Sequence, residues 1–156
     1  MTREVTEEFV PEALGKHIDL GLETPGHPVF IMGQRLMLSE MLKNLIENAL
    51  RYTTSNGCVT VRVDNSPQRE SIQLEVEDDG PGIPPNERHL VCDRFYRVLG
   101  TNQDGSGLGL SIVQETALRH HANLAIENNP RSARSNQPGC LIRITFPPVH
   151  LEQRVI

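Results

Sequence analysis

Residues 34–52 read QRLMLSEMLKNLIENALRY, and Leu36, Leu38, Met41, Leu42, Leu45, Ile46, Ala49 and Leu50 recur there at helical spacing. A helix of about five turns with so broad an apolar stripe has to bury it against another layer, so this element is the scaffold of the fold. Its other side is less usual. Asn44, Asn48, Arg51 and Tyr52 stand at offsets 0, 4, 7 and 8 and share one face. Asparagine is a poor residue inside a helix because its amide competes for backbone hydrogen bonds, so two on one stripe beside an arginine call for a reason. Neutral oxygen donors next to a cation suit a hydrated metal and the phosphates it bridges. A solvated helix face is the ordinary alternative.

Around this helix the periodicities change. Residues 4–14 place Val5, Phe9 and Leu14 near one helical face, and HIDLGLE (17–23) alternates like a strand after Gly15. Pro25, Gly26 and Pro28 punctuate the chain before VFIM (29–32), which reads as a second short strand. Asn56-Gly57 marks a turn into CVTVRV, and NSPQRE leads on to SIQLEVEDD, so these two runs form an antiparallel hairpin. Residues 80–109 are rich in glycine and proline with few periodic apolar positions, a long loop of the kind that is a lid or disordered. A further helix covers about 108–120, and NLAIEN and CLIRITF are two more strands around the polar turn NPRSARSNQPG. PPVHLEQRVI reads as an unstructured end.

A length of 156 residues fits one domain with one core. The formal net charge is −5, and although 13 of the 15 basic residues are arginine they are scattered, which argues against a nucleic-acid or anionic-lipid partner. Cys58, Cys92 and Cys140 are widely spaced and odd in number, so they are expected as reduced thiols in a cytosolic setting, small core residues rather than zinc ligands. No apolar run approaches the roughly 18 residues of a membrane span, and MTREVTEEFV lacks a secretory apolar segment. The expectation is a soluble domain.

Three more patches bear on chemistry. In EVEDDGPGIP, Asp78 continues the alternation of Ile72, Leu74 and Val76 and so should point inward with them. A buried carboxylate needs a donor, and the exocyclic amine of adenine is of the right type. An acidic turn is the plainer alternative. DRFYRV (93–98) puts Arg94, Phe95, Tyr96 and Arg97 inside the loop, either as a docking anchor with phosphate-reaching cations or as a satellite cluster. DGSGLGL (104–110) has glycines at alternate positions ahead of a helix, where free N–H groups and partial positive charge favour an anion. Its G-x-G-x-G spacing matches neither the dinucleotide fingerprint nor the Walker loop, and a flexible loop before a helix is the alternative.

Together and in this order the four patches resemble the catalytic ATP-binding domain of bacterial sensor histidine kinases, within the GHKL ATPase superfamily. LSEMLKNLIENALRYT is similar to that family's N box, VEDDGPGIP to its G1 box, DRFYRV to its F box and GSGLGLSIV to its G2 box. The resemblance implies a two-layer α/β sandwich, a mixed sheet of about five strands under three helices, occupying residues 1–149 with a tail at 150–156. It implies ATP and Mg²⁺ as ligands. Asn48 would coordinate the metal, Asn44 and Arg51 would lie near the phosphates, Tyr52 alongside the nucleotide, and Asp78 would bind the adenine amine. Gly80, Gly82, Ile83 and Phe95 would also contact the nucleotide. The lid would span about 84–109, with Gly105, Ser106, Gly107, Leu108, Gly109 and Leu110 against the phosphates. Two positions depart from the pattern: Cys92 stands where a large apolar residue is usual, which loosens lid packing, and His121 stands where glycine is common, in a place histidine tolerates with positive φ.

In the ATP-hydrolysing cousins and the anti-sigma serine kinases a glutamate one turn before the metal-binding asparagine activates water or a hydroxyl. Asn44 holds that position here, and an amide is no general base. The acceptor is therefore expected to be an already nucleophilic imidazole, with Asn44, Arg51, Arg94 and Arg97 positioning and neutralising charge. None of His17, His27, His89, His120, His121 or His150 has the context of a phosphoacceptor. The expected partners are thus a dimerisation and phosphoacceptor domain of the same receptor and, indirectly, a response regulator, the chain being a cytoplasmic piece of a membrane-anchored homodimer. An ATP-sensing module without transfer and an anti-sigma serine kinase are the alternatives.

Overall fold

The computed structural model describes residues 1–66, 71–98, 106–132 and 136–148. The elements are α1 (Thr2–Glu8), α2 (Val10–Gly15), β1 (Asp19–Glu23), α3 (Arg35–Tyr52), β2 (Cys58–Ser66), β3 (Ser71–Asp78), α4 (Gly109–Arg119), β4 (Asn123–Glu127) and β5 (Cys140–Phe146). The five strands form one sheet in the order β1-β2-β3-β5-β4. β1 runs parallel to β2, with α3 as the crossover between them, and every other pairing is antiparallel, so the sheet is mixed as expected. Its tail at 150–156 lies outside the described residues.

α3 is the scaffold because its stripe is covered from Leu38 on, Met41, Leu42, Leu45, Ile46 and Leu50 being at most 1% exposed, while Leu36 in its first turn is 75% exposed. Against them pack Val59 and Val61 of β2, Leu74 and Val76 of β3, Ile142 and Ile144 of β5, and Val113 and Ala117 of α4. Each large side chain so buried contributes about 1.5–3 kcal/mol as an upper estimate.

Strand alternation sends Glu75 and Glu77 to the other face of the sheet, where they lie buried beneath arginines. Arg62 Nε donates to Glu23 Oε2 at 2.6 Å and its terminal nitrogens reach Glu75 at 3.4 Å and Glu77 at 3.2 Å. Arg143 Nε donates to Glu75 Oε1 at 2.6 Å and Nη1 to Glu127 at 3.2 Å. Burial pushes the Glu75 carboxyl up, but hydrogen bonding and attraction from Arg143, with Arg131 and Arg62 behind it, hold it below its ordinary value.

Three local expectations are corrected. Residues 4–14 are not one helical face: the helix breaks at Phe9 ahead of Pro11, which has no N–H and is tolerated only in a first turn. Val5 and Phe9 are buried, while Leu14, turned by the break, is 68% exposed. VFIM forms no strand, and Phe30 and Met32 are each 77% exposed. The segment joins none of the five strands, and the chain after it is fixed by Gln34 N donating to His120 Nε2 at 3.0 Å. Cys58 is exposed rather than core, because Val59 and Val61 take the inward positions of β2. His121 does adopt positive φ, at 52°.

Candidate functional site

Between α3, the start of α4, the loop after β3 and the inner face of the sheet lies an open cleft. Asn44, Asn48, Arg51 and Tyr52 all line it, so the polar face of α3 is turned toward the cavity and not simply toward solvent. Val76 and Asp78 enter from β3, Pro81, Gly82, Ile83 and Val91 from the loop, and Cys140 and Ile142 from β5. Tyr96, Arg97, Val98, Ser106, Gly107, Gly109 and Leu110 complete it. Its lining joins apolar side chains, Val76, Ile83, Val91 and Ile142, to the α3 amides and to Arg51 and Arg97.

Asp78 lines the cleft together with Val76 of the same strand and Cys140 opposite it. It is only 7% exposed, and its Oδ1 accepts from the backbone N–H of Gly80 at 2.9 Å and, more weakly, of Cys140 at 3.3 Å. Burial pushes its carboxyl up to about 6, against the lowering effect of those two N–H groups. A carboxylate so placed is under-solvated and gains from a ligand donor. The neighbouring Cys140 thiol is pushed far above its ordinary value by burial and then by Asp78, which makes it inert.

On α3, Asn44 Nδ2 donates to Glu40 O at 2.8 Å, which fixes the amide. A methyl built on Gly109 would lie 3.1 Å from Asn44 Oδ1 and 3.3 Å from Asn48 Nδ2, so the missing side chain keeps open the space over both amides. α4 starts at this glycine with no side-chain cap at its N-terminus, an arrangement whose N–H groups suit an anion. Gly107 has φ 68° and a Cβ there would come within 2.8 Å of the Phe95 backbone, whose N–H donates to Gly107 O at 2.9 Å. The F-box and G2-box segments are thereby held together.

Other predicted residues sit elsewhere. Phe95, with φ 67°, is 72% exposed and does not line the cleft. Arg94 is equally exposed and lies 3.6 Å from Glu115. Gly80 acts through its N–H on Asp78, and Leu108 precedes α4 without lining the cavity. Gly105 and residues 99–104 of the expected lid lie outside the described residues. Cys92 is buried, 6% exposed, so its small side chain is packed rather than loose.

Cys140 and Ile142 were not anticipated. Their signal was the alternation of CLIRITF, but that β5 lies beside β3, with Cys140 opposite Asp78, is a pairing between segments 62 positions apart. Glu47, beside Asn48, also lines the cleft. Among the described residues no group of three or more His, Cys, Asp or Glu could hold a metal ion, and no helix is long and apolar enough to cross a membrane.

Comparison with known proteins gives a consistent result. The family described as histidine kinase-, DNA gyrase B-, and HSP90-like ATPase matches residues 33–150. Sensor histidine kinase RppB of Synechocystis is 35% identical over 134 residues, covering 82% of this chain and 28% of that protein. Sensor protein kinase PmrB of Pseudomonas aeruginosa is 38% identical over 127 residues, covering 81% and 26% respectively. The chain thus spans about a quarter of the length of these relatives, 28% and 26%. Among solved structures, a mycobacterial sensor histidine kinase, MprB, superposes with a TM-score of 0.75 at 31% identity, covering 94% of this chain and 95% of that one. The nucleotide-free catalytic domain of histidine kinase ThkA gives 0.78 at 25% identity, with 94% and 90% coverage.

Proposed function

We infer that this chain, which belongs to the histidine kinase-, DNA gyrase B- and HSP90-like ATPase family, binds Mg-ATP and passes the γ-phosphate to a histidine outside the chain. One observation carries the reading: a single cleft is lined by a buried carboxylate, by apolar side chains and by two amides beneath the uncapped start of a helix. The chemistry of that arrangement suits a purine and phosphates.

Asp78 accepts the adenine amine, and Val76, Ile83 and Ile142 pack on the base, with Tyr52 alongside. Arg51 and the N–H groups near Gly107 and Gly109 bind phosphate oxygens. The amides of Asn48 and Asn44 beneath Gly109 fit a hydrated magnesium ion, which takes neutral oxygens together with substrate phosphates. Bound there, the ion would neutralise charge on the departing phosphoryl group. Arg97 lines the cleft and is placed to add positive charge, whereas Arg94 would first have to leave Glu115. Asn44 supplies no base, so the acceptor must bring its own nucleophile. That acceptor is a histidine on the dimerisation domain of a membrane-anchored homodimeric receptor, which in turn serves a response regulator, and exposed Phe95 is a docking contact for it or for the lid.

The test is to mix the chain with a separately made dimerisation segment of its parent and labelled Mg-ATP. Acid-labile, base-stable label on that segment is the expected product, with none on the chain alone and hydrolysis by the chain far below about 10 s⁻¹. Acid-stable phosphoserine would overturn the reading. Asn48→Ala should abolish the magnesium dependence of nucleotide binding in calorimetry.

A further inference from the structure

We propose that Asn129, in the β4–β5 connection and outside the cleft, is a positioning residue for recognition of the nucleotide base, because its side-chain amide grips the main-chain carbonyl of Asp78. The proposal rests on the reading of Asp78 as the acceptor for the adenine amine.

Asn129 is 9% exposed, and Nδ2 donates to Asp78 O at 2.9 Å. Its own Oδ1 accepts from Arg131 N at 2.9 Å, which fixes which end of the amide faces Asp78. Its N–H donates to Pro138 O at 3.0 Å, closing the loop on itself one residue before Gly139. Gly139 N in turn donates to Gly80 O at 2.9 Å, and Cys140 N reaches Asp78 Oδ1 at 3.3 Å. The two ends of one loop therefore hold Asp78 and Gly80 between them. The fit leaves no slack: a methyl on Gly139 would stand 2.3 Å from Asp78 O and 2.8 Å from Asn129 Cβ.

This grip matters because Asp78 is the last residue of β3, where the sheet ladder ends. Beyond it the chain turns into Gly80 and the cleft wall. Only a carboxylate held at a defined place discriminates: it accepts from a 6-amino group and repels a 6-oxo group. Released, it can turn away from the oxo group, and the selectivity is lost before the fold is. On the other side of the sheet Arg131 Nε donates to Glu77 at 2.8 Å and Nη2 to Glu75 at 3.1 Å, anchoring the same loop without touching the Asp78 carbonyl. Arg131 therefore provides the control for loop stability.

The experiment measures binding of ATP and of inosine triphosphate, with magnesium, to the 156-residue chain and to Asn129→Asp, Asn129→Ala and Arg131→Ala. Asn129→Asp keeps shape and the acceptor for Arg131 N but lacks the donor. It should reduce the preference for ATP over inosine triphosphate about tenfold, as loss of a well-placed polar contact does, and Asn129→Ala should do likewise. Arg131→Ala should melt earlier and keep the parental preference. Parental selectivity in both Asn129 variants, or equal loss in Arg131→Ala, overturns the proposal. A parent that binds both nucleotides alike refutes instead the role of Asp78, and the proposal falls with it. The unmodified chain offers a readout free of folding effects: the Asn129 side-chain amide resonances should shift more with ATP than with inosine triphosphate, and equal shifts count against the grip.

Discussion

Replacing Asp78 by asparagine should make the nucleotide-free domain more stable at neutral pH and worse at its task. Burial raises the Asp78 carboxyl from 3.8 to about 6, so the folded state binds a proton more tightly than the unfolded chain. The stability tied to that proton is complete below the unfolded value and is lost as pH rises through the folded one. A difference of about two units at roughly 1.4 kcal/mol each makes the ionised carboxylate a burden of about 3 kcal/mol at pH 8. The asparagine oxygen still accepts from Gly80 and Cys140, while its NH₂ must find a partner at a penalty of about 1–3 kcal/mol. The net gain is up to about 2 kcal/mol, or up to roughly 8 °C in melting temperature for a domain of this size. At pH 4.5 most of the parental carboxyl is protonated in the folded state, and the difference between the two proteins should move by about 2 kcal/mol in the parent's favour. Urea unfolding of both at pH 8 and pH 4.5 gives the comparison, and Glu75 and the other carboxylates cancel because both proteins carry them. ATP affinity should fall at least about tenfold in the same variant. A stability difference that does not vary with pH, or a parent more stable at pH 8, would refute the reasoning.

Two further outcomes follow from the geometry. Gly109→Ala should weaken Mg-ATP binding about tenfold, because the methyl sits at 3.1 Å from Asn44 Oδ1 over the amides proposed to hold the metal, while the melting temperature changes little; calorimetry and a thermal scan separate the two. Arg143→Ala should destabilise the domain by about 1–3 kcal/mol at neutral pH, less than a fully buried pair would lose because Arg62 and Arg131 still hold Glu75. The Glu75 carboxyl is held below its ordinary value, so its contribution is present above that value and lost as pH falls, and the gap between variant and parent should close in acid.

What the sequence disclosed was local. α3 and the β2–β3 hairpin were legible because periodicities of 3.6 and 2 are written into consecutive residues, and Asp78 was legible as an inward residue through Leu74 and Val76. The failures are those of pairing. VFIM has strand-like composition but joins none of the five strands, and Leu14 needed the consequence of Pro11, three residues earlier, to be placed. Cys140, Ile142 and Asn129 reach the site only because β5 lies against β3, a register no single run of residues encodes. Phe95 shows the converse: its motif marked the right loop, yet its positive φ, tied to Gly107, turns it away from the cavity.

The sheet ends on β1 and β4, each only five residues long. Their exposed margins carry Asp19 and Glu23 on one side and Asn123 and Glu127 on the other. Two copies approaching edge to edge would have few unpaired backbone groups to offer and would bring acidic side chains together, which natural sheets use to discourage strand addition. The same carboxylates are the outermost members of the arginine network, Glu23 through Arg62 and Glu127 through Arg143. Acid would therefore strip the protection from both margins while loosening the strands behind them, and self-association into ordered aggregates should begin there before the core gives way.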